Sequence, residues 1–179
     1  MLGSAIVYSA VLLGPWGALK SAAYNVGSGA WFAYAAAFLL FVLAILPGTF
    51  LLAASWGRRT APKKATTSFA RALIPLGLAA WIAFSLSFVF ANASYLWPVL
   101  SDPMGWGWNL FGTASLAWSP YFMAIVPALQ AVILISGLIW AITTANRIAS
   151  ELSDGRRARS LPVSAFCAVT TLVLLVLLL

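Results

Sequence analysis

Residues 72–100 of this chain read ALIPLGLAAWIAFSLSFVFANASYLWPVL, residues 101–119 read SDPMGWGWNLFGTASLAWS, and residues 120–147 read PYFMAIVPALQAVILISGLIWAITTANR. This stretch decides the fold. Its two outer parts are each long enough to cross a bilayer, which takes about 20 apolar residues per helix. The middle part contains no Lys or Arg, whereas basic clusters flank the whole stretch on both sides. The pattern predicts a hairpin of two transmembrane helices that carries a Trp-rich head.

The composition predicts the same class for the whole chain. Of its 179 residues, 63% are hydrophobic and only 7% are charged, whereas about a quarter of the residues of a soluble domain are charged. The mean hydropathy is +1.00. We therefore expect an all-α integral membrane protein that forms a single transmembrane domain over residues 1–179.

Five apolar segments predict a bundle of five transmembrane helices, at about residues 2–19, 31–56, 72–98, 120–145 and 161–179. The first segment is interrupted by Gly14-Pro15, and it lacks the basic start and the cleavage site of a signal peptide. If this segment is re-entrant or lies in the interface, the bundle has four spans.

The positions of the basic residues predict the orientation. Nine of the ten Lys and Arg residues lie in Gly57–Arg71 and Asn146–Ser160, and Lys20 is the exception. Basic loops stay in the cytoplasm, so we expect a multi-pass membrane protein with a cytoplasmic N-terminus and with loop 92–119 on the outer side of the membrane. This clustering also argues against nucleic acid as the partner of the +7 net charge and favours anionic membrane lipids.

Several kinds of chemistry are excluded by the residues that the chain lacks. It has a single cysteine, Cys167, and no histidine, so it cannot supply an internal disulfide, the usual zinc ligands, a pair of haem-binding histidines or the ligands of an iron–sulfur cluster. No Asp or Glu lies inside a predicted span, which disfavours an ion-coupled transporter. We expect no catalytic activity of its own and no cofactor bound by its own side chains.

The Trp-rich head allows two interpretations. The favoured one is an aromatic belt at the membrane interface. The alternative is a docking surface or the mouth of a quinone pocket, in which indoles stack on the ligand and Asp102 or Asn109 supplies a polar contact. On this alternative we expect Gly105 and Gly107 to lie in a tight backbone path that a side chain would obstruct. The candidate contacts for a partner or a quinone are Trp97, Asp102, Trp106, Trp108, Asn109 and Gln130.

Gln130 lies inside the fourth segment, one turn after Pro127. An amide is costly in hydrocarbon unless it is hydrogen-bonded. We expect Gln130 to bond a neighbouring helix, with the carbonyl left free by Pro127 as one possible acceptor. Contact with a ligand is the less favoured role.

Two runs of the chain carry a resemblance to a known family. Leu73–Phe88 and Ser101–Thr113 resemble the membrane region of polytopic bacterial 4Fe-4S binding proteins, which are related to the membrane ferredoxins of nitrate and nitrous-oxide respiration. The resemblance extends over roughly Trp31 to Leu179. The Cys-x-x-Cys-x-x-Cys motifs of that family are absent, so no cluster ligand carries over. The resemblance implies a membrane part alone, with haem or iron–sulfur clusters in partner subunits.

These observations favour a cofactor-free inner-membrane subunit of a bacterial electron-transfer complex of respiratory type. Such a subunit would anchor redox partners within a hetero-oligomer and help to shape a quinone site. A structural or assembly subunit of another multi-subunit membrane complex is the alternative. A small transporter is the least favoured, because no charge is embedded in the predicted spans.

Overall fold

The computed structural model describes residues 1–13, 16–56, 67–152 and 160–179, and all regular structure within these ranges is helical. We number the helical stretches in chain order. They are α1 (Leu2–Leu13), α2 (Gly17–Tyr24), α3 (Gly29–Trp56), α4 (Thr67–Ser101), α5 (Val126–Leu152) and α6 (Leu161–Leu178). By length and composition, α3 to α6 are four helices that could cross a membrane. The four long apolar helices predicted from the sequence are thus confirmed.

The first segment differs from the single helix predicted over residues 2–19. It consists of α1 and α2, whose axes meet at 106°. Gly14-Pro15, between them, lies outside the described residues, but a proline disfavours continuation of a helix through itself and its predecessor. α1 is about 18 Å long at 1.5 Å per residue, roughly half of a bilayer core. The two helices amount to a fifth span only if the bent pair crosses as one unit.

α5 begins later and ends later than the predicted segment 120–145. Had the helix started at Pro120, Pro127 would be an interior residue without an N–H to donate; in the structure Pro127 is the second residue of α5, where a proline is tolerated. The residues before α5 turn sharply, with Phe122 at φ 53°. The Tyr121 N–H donates to the Phe90 carbonyl at 3.1 Å and attaches this segment to α4.

Prolines also account for the irregular turns inside the long helices. The turn Phe41–Ile45 of α3 is π-helical. It contains Leu43, whose carbonyl would accept a hydrogen bond from residue 47 in a regular α-helix, but Pro47 has no N–H to donate. The π-helical turn accommodates the proline, and α3 continues through Pro47-Gly48 to Trp56. In α4 the turn Ala93–Tyr95 is a 3₁₀-helix, and it contains Ser94, whose carbonyl Pro98 leaves without an N–H donor.

The closest helix contact is between α4 and α5. Gln130 reaches Ala83 while Gly137 faces Pro75 and Ala79, so the two helices run antiparallel. The side chains at this contact are apolar, mostly small and fully buried. They are Leu76, Ala80 and Ala83 on α4, and Leu134, Ala141 and Ala145 on α5. Small side chains allow two helix backbones to approach closely.

The other helices pack around this pair. The Trp81 indole N–H donates to the Met1 carbonyl at 3.1 Å, which ties α1 to α4. The rings of Phe50 on α3 and Phe166 on α6 meet edge to face at 5.7 Å. The Ser160 hydroxyl, just before α6, donates to the Asn146 side-chain oxygen of α5 at 2.5 Å. The last two contacts, together with the antiparallel packing of α4 on α5, place the end of α3, the start of α4, the end of α5 and the start of α6 at one end of the bundle.

Candidate functional site

The Trp-rich head, residues 101–119, is folded by bonds between side chains and backbone rather than by regular structure. Its base is Ser101, the last residue of α4, which is fully buried. The Ser101 hydroxyl donates to Asn109 Oδ1 at 3.0 Å and accepts from the Phe111 N–H at 3.1 Å, while the Ser101 carbonyl accepts from the Leu110 N–H at 3.2 Å. Ser101 therefore links both ends of the loop that carries Trp106 and Trp108.

Asp102 uses both of its carboxylate oxygens inside the head. Oδ1 accepts from the Trp106 N–H at 2.9 Å, and Oδ2 accepts from the Gly107 N–H at 2.8 Å. Hydrogen bonds to an ionised carboxylate are stronger than neutral ones. Asp102 therefore holds the backbone of the tryptophan pair in place.

Asn109 has a similar local role. Its Oδ1 accepts from the Ser101 hydroxyl and from the Ala114 N–H, the latter at 3.2 Å. The oxygens of Asp102 and Asn109 are thus engaged by the loop itself. A contact of either residue with a quinone stays a prediction.

The head displays its indoles outward. The rings of Trp106 and Trp108 meet edge to face, with centroids 5.1 Å apart, and these residues are 69% and 43% exposed. Trp97 lies on α4 below them and is half-exposed, and its carbonyl accepts from the Thr113 hydroxyl at 2.9 Å. The Trp118 indole N–H donates to the Ala91 carbonyl at 2.9 Å and holds the far end of the head against α4.

The role of the two head glycines differs from the one predicted. A Cβ built at Gly105 or Gly107 would meet no atom within 4 Å, so the backbone path is open rather than tight. Both residues instead have positive φ angles, 67° and 79°. Such angles are costly for residues with a Cβ. Glycine is required here by backbone conformation, which lets the Trp106 and Gly107 N–H groups point at Asp102.

Gln130 lies apart from the head side chains, in the interface between α4 and α5. It is 1% exposed, and its Nε2 donates to the Ala83 carbonyl and to the Ser87 hydroxyl, both at 2.8 Å. The predicted hydrogen bond to a neighbouring helix is confirmed. The acceptor is not a carbonyl freed by Pro127, because that proline lies in the first turn of α5.

Ser101 is the residue that sequence reasoning missed. Short polar side chains followed by glycines favour turns held by bonds from side chain to backbone. The Ser101-Asp102 pair, directly after an apolar run and before Gly105, carries that signal. The structure brings Ser101, Asp102 and Asn109 into one hydrogen-bonded group.

Side chains that could ligate a metal are few in this chain, with one Cys, no His and three Asp or Glu residues. Among the described residues, no three His, Cys, Asp or Glu side chains lie close enough together to hold an ion. Comparison with protein-family models, with curated proteins and with solved structures finds no match for this chain.

Proposed function

We propose that this protein is a non-catalytic, multi-pass subunit of a bacterial inner-membrane complex, and that its head is the surface on which a partner subunit docks. The observation that carries this proposal is the hydrogen-bonded head loop that presents Trp106 and Trp108 together. An interface belt needs only indoles at the right depth. A loop fixed by a buried serine and by both oxygens of a carboxylate goes beyond that requirement.

Rigid, exposed aromatic side chains are good anchors for a protein contact. They bury a large area and lose little conformational freedom on binding, because the loop that carries them is already ordered. Much of the remaining apolar surface is available as well. Only 6% of the most apolar window of α3 is buried within the chain. Lipid or partner helices would cover that surface in a membrane complex.

The electron-transfer form of the proposal is supported by the resemblance carried by Leu73–Phe88 and Ser101–Thr113. On this form, the redox centres lie in partner subunits, and the perpendicular indole pair is placed to border a quinone site. The alternative is a structural or assembly subunit of a different membrane complex. The subunits that co-purify with the chain distinguish the two, since haem or iron–sulfur clusters among them are expected only on the first.

The proposed orientation places the bundle end with the α3 C-terminus in the cytoplasm and the head outside. Arg71 and Arg147 lie on the helices that reach the cytoplasmic end, whereas Lys20 follows Leu19 on α2. The other seven basic residues, in 57–66 and 153–159, lie outside the described residues. The 106° bend of the first segment favours four crossing helices. A cytoplasmic N-terminus requires α1 and α2 to cross as one span.

Cysteine labelling tests this orientation. In a Cys167→Ala background, a cysteine placed at Thr113 should react with a membrane-impermeant maleimide from outside intact cells, since Thr113 lies in the head. A cysteine placed at Glu151, near the opposite end of α5, should react only after the cells are opened; the Glu151 side chain is 68% exposed. Reaction of the Thr113→Cys variant from the cytoplasmic side alone would reject the orientation.

Substitution of the exposed indoles tests the docking role. The Trp106→Leu/Trp108→Leu double variant keeps apolar side chains and the backbone N–H groups that bond Asp102, but it removes the indole surface. If the head docks a partner, co-purification of partner subunits and electron transfer through the complex should fall at least about ten-fold, because anchor residues contribute about 2 kcal/mol or more. Membrane insertion should be unchanged.

The matched control is the Trp56→Leu/Trp140→Leu variant, which removes two other exposed indoles, on α3 and α5. It should leave partner recovery unchanged. Normal recovery and turnover in the Trp106→Leu/Trp108→Leu variant would show that the head is an interface belt.

A further inference from the structure

An apolar groove lies where α1, α2 and α3 meet, away from the head residues discussed above. Its volume is about 230 Å³, and it is open along one side. α1 runs along α3 there, with the Tyr8 ring against the Phe38 ring and Gly3 beside Val42 and Leu46, and α2 contributes Leu19. The lining includes Ile6, Ala10, Val11, Leu19, Tyr34 and Phe41.

Irregular helix turns border the groove on two sides. Ala10 and Val11 belong to the π-helical turn Ser9–Leu13, and Phe41 begins the π-helical turn of α3. A π-turn takes up an extra residue and is often found at functional sites. Residues of both turns line the same groove.

The lining and a neighbouring charge indicate the occupant. The volume lies below the range of about 300–1,000 Å³ typical of sites for drug-sized ligands, and Tyr34 contributes the sole polar side chain among the lining residues. Such a groove fits a hydrocarbon chain. Directly after Leu19 comes Lys20, the sole charged residue in the first 56 of the sequence, and its side chain is exposed.

We propose that this groove binds one membrane phospholipid, with an acyl chain along α1 and α3 and the headgroup phosphate against the Lys20 ammonium. This inference rests on the membrane insertion proposed above. Tyr34 and Phe41 lie about 8 Å and about 18 Å along α3 from Gly29. That is the depth of acyl chains when α2 and Lys20 lie at headgroup level.

Photo-crosslinking in vesicles tests the site. The full chain is reconstituted into vesicles of phosphatidylcholine and phosphatidylglycerol that contain phosphatidylglycerol with a diazirine on its acyl chain. After irradiation, mass spectrometry should find adducts concentrated on Ala10, Val11 and Phe41. Ala37→Trp, which fills the groove from α3, should abolish these adducts, whereas Leu39→Trp, on the exposed face of the same helix, should leave them unchanged.

The Lys20 variants test the headgroup contact without altering the apolar packing. Lys20→Gln should lower the adduct yield about five-fold, and Lys20→Arg should restore it, since one basic residue near a lipid surface contributes an effect of about that size. Full yield in Lys20→Gln would overturn the proposal. Adducts spread evenly over α3 would also overturn it, because they indicate bulk lipid. Protection of the groove by a co-purifying protein would do the same, because it indicates a partner helix. Release of the wild-type chain from vesicles by alkaline washing would instead reject membrane insertion itself.

Discussion

Replacing Gly137 with alanine is expected to destabilise the contact between α4 and α5 by about 1–3 kcal/mol, the usual cost of overpacking a closely packed interior. An added Cβ at Gly137 would overlap the Ala79 Cβ and would lie 3.4 Å from the Pro75 carbonyl oxygen and 3.7 Å from the Leu76 Cα. Backbone atoms cannot move aside as the end of a flexible side chain can. The two helices must therefore separate.

A loss of stability in Gly137→Ala is the opposite of what helix propensity alone predicts, so it would indicate close packing at this position. Alanine is a better helix former than glycine by about 1 kcal/mol, so Gly→Ala inside a helix normally stabilises. Gly48 in α3 is the matched control, because a Cβ built there meets no atom within 4 Å. In mild detergent, thermal unfolding of Gly137→Ala should shift to lower temperature and that of Gly48→Ala should not. Equal unfolding temperatures of the two variants would mean that α4 and α5 do not pack through Gly137.

Separation of α4 and α5 should also affect the buried amide. Gln130 spans the same interface, and its two hydrogen bonds to α4 need the close approach that Gly137 permits. A hydrogen bond between helices in this setting contributes about 0.6–2 kcal/mol. We therefore expect the larger substitution Gly137→Leu to destabilise more than Gly137→Ala, since it pushes the helices further apart.

Replacing Asp102 with alanine is expected to release the head loop while the helices remain folded. Both acceptors for the Trp106 and Gly107 N–H groups would be lost. Hydrogen bonds to charged groups contribute about 1.5–3 kcal/mol when sheltered, and Asp102 is only partly buried. We therefore expect about 1–3 kcal/mol for the pair. Hydrogen exchange of these two amides should accelerate roughly 5- to 100-fold, with no change in the amides of α5.

Two variants separate this local effect from a loss of charge. Asp102→Asn keeps one oxygen acceptor and should give an intermediate exchange rate. Glu151→Gln removes a carboxylate whose partner, Arg147, lies 3.9 Å away at an exposed site; such a pair contributes little, so the head amides should not respond. Unchanged exchange at Trp106 and Gly107 in Asp102→Ala would show that the glycines and Ser101 alone order the loop.

The candidate site was predictable in part. The Trp-rich head and Gln130 stand out because aromatic, glycine-rich loops and polar residues in apolar segments are visible in composition alone. The internal role of Asp102 was not visible, because it depends on positive φ at Gly105 and Gly107, which turns two N–H groups toward one carboxylate. The role of Asn109 depends on its bonds to Ser101 and Ala114. Backbone angles of a loop are set by its own hydrogen bonds and by the ends of the helices that it joins.

The sequence by itself determined the four long apolar helices and the need of Gln130 for a partner. The helices were predictable because hydropathy over a window of residues is a local property of the sequence. The partner of Gln130 was predictable because a buried amide is costly unless it forms a hydrogen bond. Tertiary structure decided the angle between α1 and α2 and the importance of Gly137. These features depend on which helix faces meet and how closely. A glycine that faces Ala79 across 58 residues of chain looks, in the sequence, like any other glycine in an apolar segment.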